Sequence, residues 1–325
     1  MIRQDRDRSA SVSEELQSAP LFHTHIVVDW SARSKPSPAK PTKDAIWWAV
    51  ARIAGDIEVD EPAYVRTRHE ALDRLAGLIA GELDADRRVL VGFDFPFGYP
   101  AGVAQRLTGK ASALTLWGWL AERIKDGPDN ANNRYDVAAA VNAAYPGVGP
   151  FWGRPGTWDY PTIPVRASER TERSAQPAER RLCDIRATGA KTVWQLAYTG
   201  SVGSQMLLGL PALKRLTEDS RIAGRAAIWP FETGLRTPDA KAVIAEVYPS
   251  LLRAEVRARR CEDEILDSAQ VRVNADAFAR LDASGGLAAL LEGPSFLTPQ
   301  QRRIVETEEA WILGLGHACH VHEAP

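Results

Sequence analysis

The chain has 325 residues, 45% of them hydrophobic, enough to bury a sizeable core in one large domain or two smaller ones. Charged residues make up 25% and the formal net charge is -2, so no global basic field advertises nucleic acid, and a phosphate-rich partner has to meet a local patch. No apolar run approaches membrane-spanning length, and the widely spaced Cys183, Cys261 and Cys319 suit reduced thiols better than a disulfide framework, so a soluble cytoplasmic protein is expected.

Residues 1–20 are polar and charged, lack a signal-peptide core and read as a mobile leader. The apolar run His25-Ile26-Val27-Val28 is a strand that ends in Asp29, Trp30 and Ser31. Residues 33–43 carry Pro36, Pro38 and Pro41 among Lys35, Lys40 and Lys43, a basic loop that serves either as a hairpin connection or as a phosphate contact. Residues 45–53 and 57–65 are the next two strands, joined through Gly55-Asp56 into an antiparallel meander. Thr67 caps a helix over 68–83, with Glu70 at the capping-box position and Leu72, Leu75, Ile79 and Leu83 on one face. The short β-branched run at 88–91 is a buried strand that runs out at Asp94, and Pro96, Gly98 and Pro100 stop regular structure behind it.

From residue 100 to 240 the pattern loosens. Helices are expected over 111–125, 136–144 and 206–216, around a Pro-, Gly- and aromatic-rich loop at 145–164 and an arginine-rich stretch at 166–186. Residues 226–232 suit a strand or a sheet edge. Order returns with a strand at 241–247 bearing Glu246, then helices over 249–259, 265–281 and, opened by Thr298 and Pro299, 299–313. The division is therefore a leader (1–20), a first core part (21–99), an insertion or cap (100–240), a second core part with C-terminal helices (241–316) and a tail (317–325).

Open α/β sheets place ligands beyond the carboxyl ends of their strands, and Asp29, Asp94 and Glu246 all stand at such ends. Together they suggest one metal site, although each alone also reads as a turn or helix cap. Arg166, Arg170, Arg180 and Arg181 are candidates for a phosphate backbone, with a solvated surface as the plainer reading because Glu169, Glu172, Glu179 and Asp184 are interleaved. Trp152, Trp158 and Trp194 can stack on bases, yet with 10 Trp in the chain most must be core. Gly200-Ser201-Val202-Gly203-Ser204 can cradle a phosphate but lacks the lysine and spacing of a P-loop, which favours a plain helix start. His317, Cys319, His320 and His322 resemble a soft-metal cluster at the fraying tail, and His23 and His25 point to opposite faces of a strand.

The stretches Val27-Val28-Asp29-Trp30-Ser31, Gly92-Phe93-Asp94-Phe95-Pro96-Phe97-Gly98, Gly149-Pro150-Phe151-Trp152-Gly153, Gly200 to Ser204, Trp229-Pro230-Phe231-Glu232 and Ala245-Glu246-Val247-Tyr248-Pro249 together resemble a bacterial domain-of-unknown-function family. Its members are taken for RNase H-like nucleases distantly related to RuvC resolvases, and some carry labels from molybdopterin or cobalamin biosynthesis. The resemblance covers about residues 26–315. It implies an RNase H-like mixed sheet flanked by helices, with a large helical and loop-rich insertion between the fourth and fifth core strands. It also implies that Asp29, Asp94, Glu246 and Asp267 are catalytic metal ligands for Mg2+ or Mn2+, with Asp263 as an alternative fourth acid. Relatives of the resolvase type usually have Asp-Ala where this chain has Asp267-Ser268. Ser31, Arg166, Arg170, Arg180, Arg181 and Trp152 are the expected substrate contacts.

Magnesium prefers oxygen ligands and is normally held by one or two carboxylates plus substrate phosphate. Two such ions about 4 Å apart support in-line displacement at phosphorus. The first expectation is accordingly a metal-dependent nuclease or phosphoesterase acting on nucleic acid or a nucleotide. The alternative is a non-catalytic nucleotide- or cofactor-binding protein of the same fold, for example one linked to molybdopterin-type cofactors. An actin-like phosphotransferase is disfavoured because Asp29-Trp30-Ser31-Ala32-Arg33 offers no glycine for a phosphate loop.

Overall fold

The computed structural model describes residues 19–317. Strand β1 (Thr24–Asp29) pairs antiparallel with β2 (Ile46–Ala54), and β2 in turn pairs with β3 (Asp56–Val59) and β4 (Ala63–Val65). The single third strand expected from sequence is split in two. Pro62 has no N–H to donate and interrupts the ladder between β3 and β4. Helix α1 (Arg68–Asp84) follows, with the Thr67 hydroxyl accepting the Glu70 N–H as expected of the cap. It returns the chain to β5 (Val89–Phe93), parallel to β1.

The insertion holds α2 (Val103–Thr108), which sequence reading missed, then α3 (Ala113–Arg123), α4 (Arg134–Asn142), α5 (Leu182–Arg186) and α6 (Gly203–Glu218). It ends at β6 (Ala226–Ile228), an edge strand cut short before Pro230, and not at residue 240. Strand β7 (Ala242–Glu246) lies parallel between β5 and β6, completing a seven-stranded mixed sheet of order β3-β2-β1-β5-β7-β6 with β4 also on β2. A 3-10 turn (Pro249–Leu252), α7 (Arg253–Arg259), α8 (Leu266–Ala283), α9 (Leu287–Leu291) and α10 (Pro299–Ile304) follow. No described helix is long and apolar enough to cross a membrane.

The central strands are buried on both faces. Ile26, Val28, Val91, Phe93, Ala242 and Ile244 pack under α1, α3 and α6, whereas Val27, Leu90, Val243 and Ala245 pack under α8 and α9. Much of the insertion is therefore one outer layer of the core and not a separate cap. The expected long last helix stops early: α10 widens into a π-turn (Val305–Glu309) and breaks at Ala310, φ 62°. Its acids are used elsewhere. The Glu309 carboxylate accepts the Ala101 and Leu182 N–H groups at 2.9 and 2.6 Å, and Glu308 accepts that of Gly102 at 2.9 Å.

That π-turn presses on the loop behind β5. A Cβ at Gly98 would lie 2.1 Å from the Glu308 carbonyl oxygen, so only glycine fits. Gly98→Ala is expected to cost about 1–3 kcal/mol or more, since backbone must move, seen as a lower urea midpoint at unchanged slope.

Candidate functional site

Side chains alternate along β1, so Asp29 shares the α8 face with Val27. The parallel register Val28↔Phe93 sets Asp94, one residue past β5, beside Asp29. Local hydrogen bonds fix the pair. The Asp94 N–H donates to the Val28 carbonyl at 3.2 Å, and the Trp30 N–H donates to Asp94 Oδ1 at 2.8 Å. The two carboxyl groups lie close enough to act on each other's protonation, and the charge of Asp94 disfavours the ionised form of Asp29. Burial, then the Asp94 and Asp267 charges, hold Asp29 well above the usual carboxylate range. Burial lifts Asp94 to about 7, against the lowering effect of the Trp30 N–H.

Asp267 joins them from the first turn of α8. Its Oδ2 accepts the Asp44 N–H at 2.7 Å, and burial raises its pKa against that bond. Asp44 sits at the end of the basic loop with φ 56°, and its carbonyl receives the Ser31 hydroxyl at 2.7 Å and Arg33 Nε at 3.1 Å. The loop is thus a clasped connection that brings the end of β1 and the start of α8 together. Asp263, the alternative fourth acid, is exposed and precedes α8. Asp29, Asp94 and Asp267 are each half-buried, and none makes an ion pair with a described Lys or Arg. Among the described residues no three His, Cys, Asp or Glu side chains converge tightly enough to hold one metal ion. What converges is a pair with a third acid beside it.

Glu246 is not part of this group. It pairs with Phe93, so Val247 is the residue level with Asp94, and the one-residue offset turns Glu246 to the opposite face of the sheet. There its oxygens accept both Arg181 terminal nitrogens at 2.7 Å, and Oε2 also accepts the Phe97 N–H at 2.9 Å. Arg181 additionally grips Asp184 and the Glu309 carbonyl. Burial opposes the charge of Arg181, but Asp184 and Glu246 outweigh it and keep the guanidinium fully ionised.

The expected substrate contacts fare similarly. Arg181 is this buried clamp, and Arg170 is buried against Glu179 at 2.6 Å and Gln176. Ser31 is committed to Asp44. Arg166 and Arg180 are exposed without an ion pair among the described residues. Trp152 is half-buried and Trp194 fully so, its indole donating to Ala178; Trp158 is exposed. The glycine loop opens α6 as a plain helix start. Gly203 is there because a Cβ would meet the Val193 carbonyl at 2.6 Å, and its N–H goes to Gln195. Two residues that sequence reading missed reach the site region: Asp44, and Gln205, whose side chain donates to the Trp30 carbonyl at 2.6 Å. Neither carries a sequence signal beyond polarity. Of the tail cluster only His317 lies within the described residues.

Set against family models, curated proteins and solved structures, the chain gives no match.

Proposed function

We propose that the protein is a divalent-metal-dependent phosphoesterase, acting as a nuclease of the RNase H-like class, with Asp29 and Asp94 as metal ligands and Asp267 beside them. One observation carries this reading: two half-buried carboxyl groups at the ends of neighbouring parallel strands, set side by side with no ion-pair partner among the described residues. Burying such a pair is unfavourable unless a proton or a metal ion compensates it. The donor set is all oxygen, which fits Mg2+ or Mn2+ held by two carboxylates and completed by substrate phosphate. The strand order supports the same class, with an antiparallel three-strand start followed by parallel β5 and β7 on the other side of β1.

Bound there, a divalent ion supplies an activated water and a counter-charge for the phosphoryl oxygens. The chain's own contribution is positioning. The Trp30 N–H holds Asp94 Oδ1, and the Asp44 N–H holds Asp267 Oδ2, so each acid keeps a second oxygen in a set orientation. Asp29, whose pKa is otherwise held high by burial and by the Asp94 and Asp267 charges, would favour its ionised form with a cation bound. The reading is tested by incubating the protein with single-stranded, duplex and branched nucleic acids in Mg2+ or Mn2+, with and without chelator. Cleavage that disappears on chelation is the expected result.

A second reading, a non-catalytic nucleotide- or cofactor-binding protein of the same fold, is favoured by the lack of a third converging acid among the described residues. Wild-type protein that neither cleaves nor binds metal in a calorimeter would leave that reading in place.

A further inference from the structure

The net charge of -2 and the internal pairing of Arg170 and Arg181 leave open what would attract a phosphate chain to an acidic site. A cleft of about 600 Å³ between α7 and the start of α8 answers this. It is lined by Arg253, Arg257 and Arg260, with Glu262 the sole acid in the lining. Arg253 and Arg257 are four residues apart on α7 and so share a face. Both are exposed, and neither makes an ion pair among the described residues. Arg260 Nε donates to the Glu264 carbonyl at 2.7 Å, and its charge adds to that of Arg272 on the Glu264 carboxylate. The neighbouring Arg259 shows the contrast, because it is tied to Asp276 at 2.6 Å. With one acid in the lining against three guanidinium groups, two of them without an ion pair among the described residues, the cleft carries a surplus of positive charge disposed to take phosphate oxygens.

Position matters as much as charge. Leu266 and Gln270, on the far wall, flank Asp267 along α8. The near wall is reached directly from the end of β7 through the turn Pro249–Leu252, at the same sheet edge as Asp29 and Asp94. We propose that the Arg253–Arg257–Arg260 cleft binds the phosphate backbone of a nucleic-acid strand beside the bond held at the acid pair. The proposal rests on the phosphoesterase reading above. A ligand with one phosphate fills the acid site or the cleft, whereas a strand with repeated phosphates fills both, so the substrate class is an oligonucleotide and not a mononucleotide.

The test is anisotropy of short fluorescein-labelled oligothymidylate and oligouridylate, in chelator, over a range of salt. Two phosphate contacts predict that Arg253→Ala/Arg257→Ala weakens binding about tenfold or more and reduces the slope of log K against log salt by about 1.4. Arg253→Lys/Arg257→Lys should recover most of the slope, and matched melting curves establish that the variants fold. Cys261 lines the same cleft as an exposed thiol, so its alkylation, followed by peptide mass spectrometry, should slow when the oligonucleotide is present. Metal-dependent hydrolysis of bis(p-nitrophenyl) phosphate, which has a single phosphate, should be unchanged in the double Ala variant. Folded variants with unaltered affinity and slope would overturn the cleft assignment, as would wild-type protein that binds neither oligonucleotide. In both cases the small diester decides separately whether the phosphoesterase reading holds.

Discussion

Arg181→Met is expected to destabilise the protein by about 3–5 kcal/mol, a large part of the ~5–15 kcal/mol that holds a typical domain folded. The reason is the environment it leaves. Arg181, Asp184 and Glu246 are all almost fully buried, and the guanidinium is shared between the two carboxylates. Without it, Asp184 and Glu246 become uncompensated buried charges and must take up protons. The clamp also joins three parts of the chain: the end of β7, the start of α5 and, through the Glu309 carbonyl, the π-turn that packs on Gly98. Glu246→Gln keeps one hydrogen-bonding oxygen and leaves Asp184 in place, so a smaller loss of about 1–3 kcal/mol is expected. Urea titration measures both. The pair of results also decides the role of Glu246: a metal ligand would show lost metal affinity at unchanged stability, and the reverse is expected here. The triple variant Arg181→Met/Asp184→Asn/Glu246→Gln should recover part of the loss, because the two carboxylates that the guanidinium neutralised are then uncharged.

The sheet was legible because β1, β2, β5 and β7 are short apolar runs bounded by turn residues, and the connections between the first strands are too short for anything but a meander. The acid pair was legible for a related reason: Asp29 and Asp94 each follow an apolar strand at its carboxyl end, where an open α/β sheet displays ligand-binding groups, although each alone also fits a turn or cap. Glu246 has the same local appearance, and only the register between β5 and β7 separates it from the others. Register is a property of two strands and cannot be read from one. The arginines at 166–186 misled for a similar reason, since composition does not say that Arg181 will find Glu246 sixty-five residues away. The interaction of Asp44 with Asp267 spans 223 residues and uses a backbone N–H, which leaves no mark on the sequence at all. Conversely, Arg253 and Arg257 look like ordinary helix-surface residues until the fold shows them lining one cleft with Arg260 and without an ion pair among the described residues.

Asp94→Asn is expected to lower metal affinity and metal-dependent cleavage by orders of magnitude while leaving the protein folded and, near neutral pH, more stable. Asparagine keeps the shape and the oxygen that accepts the Trp30 N–H, and removes a charge that burial and Asp267 disfavour and that in turn disfavours ionisation of Asp29. The sign of the pH effect follows from the raised pKa values. Between the unfolded carboxylate value near 3.8 and about 7, the folded state retains protons on Asp29 and Asp94 that the unfolded state has lost. Stability therefore falls as pH rises through that window and is fully present only below it, each tenfold difference in proton affinity between the two states corresponding to ~1.4 kcal/mol. Asp94→Asn should flatten this slope, which thermal melts in metal-free buffer from pH 4 to about 8 would record. In wild type, added Mg2+ or Mn2+ should release protons on binding, restore stability at the alkaline end and lose its effect toward acid. Calorimetric titration in buffers of different ionisation enthalpy counts those protons. Metal that binds wild type without proton release, or binds Asp94→Asn equally well, would mean that the ion does not sit between Asp29 and Asp94.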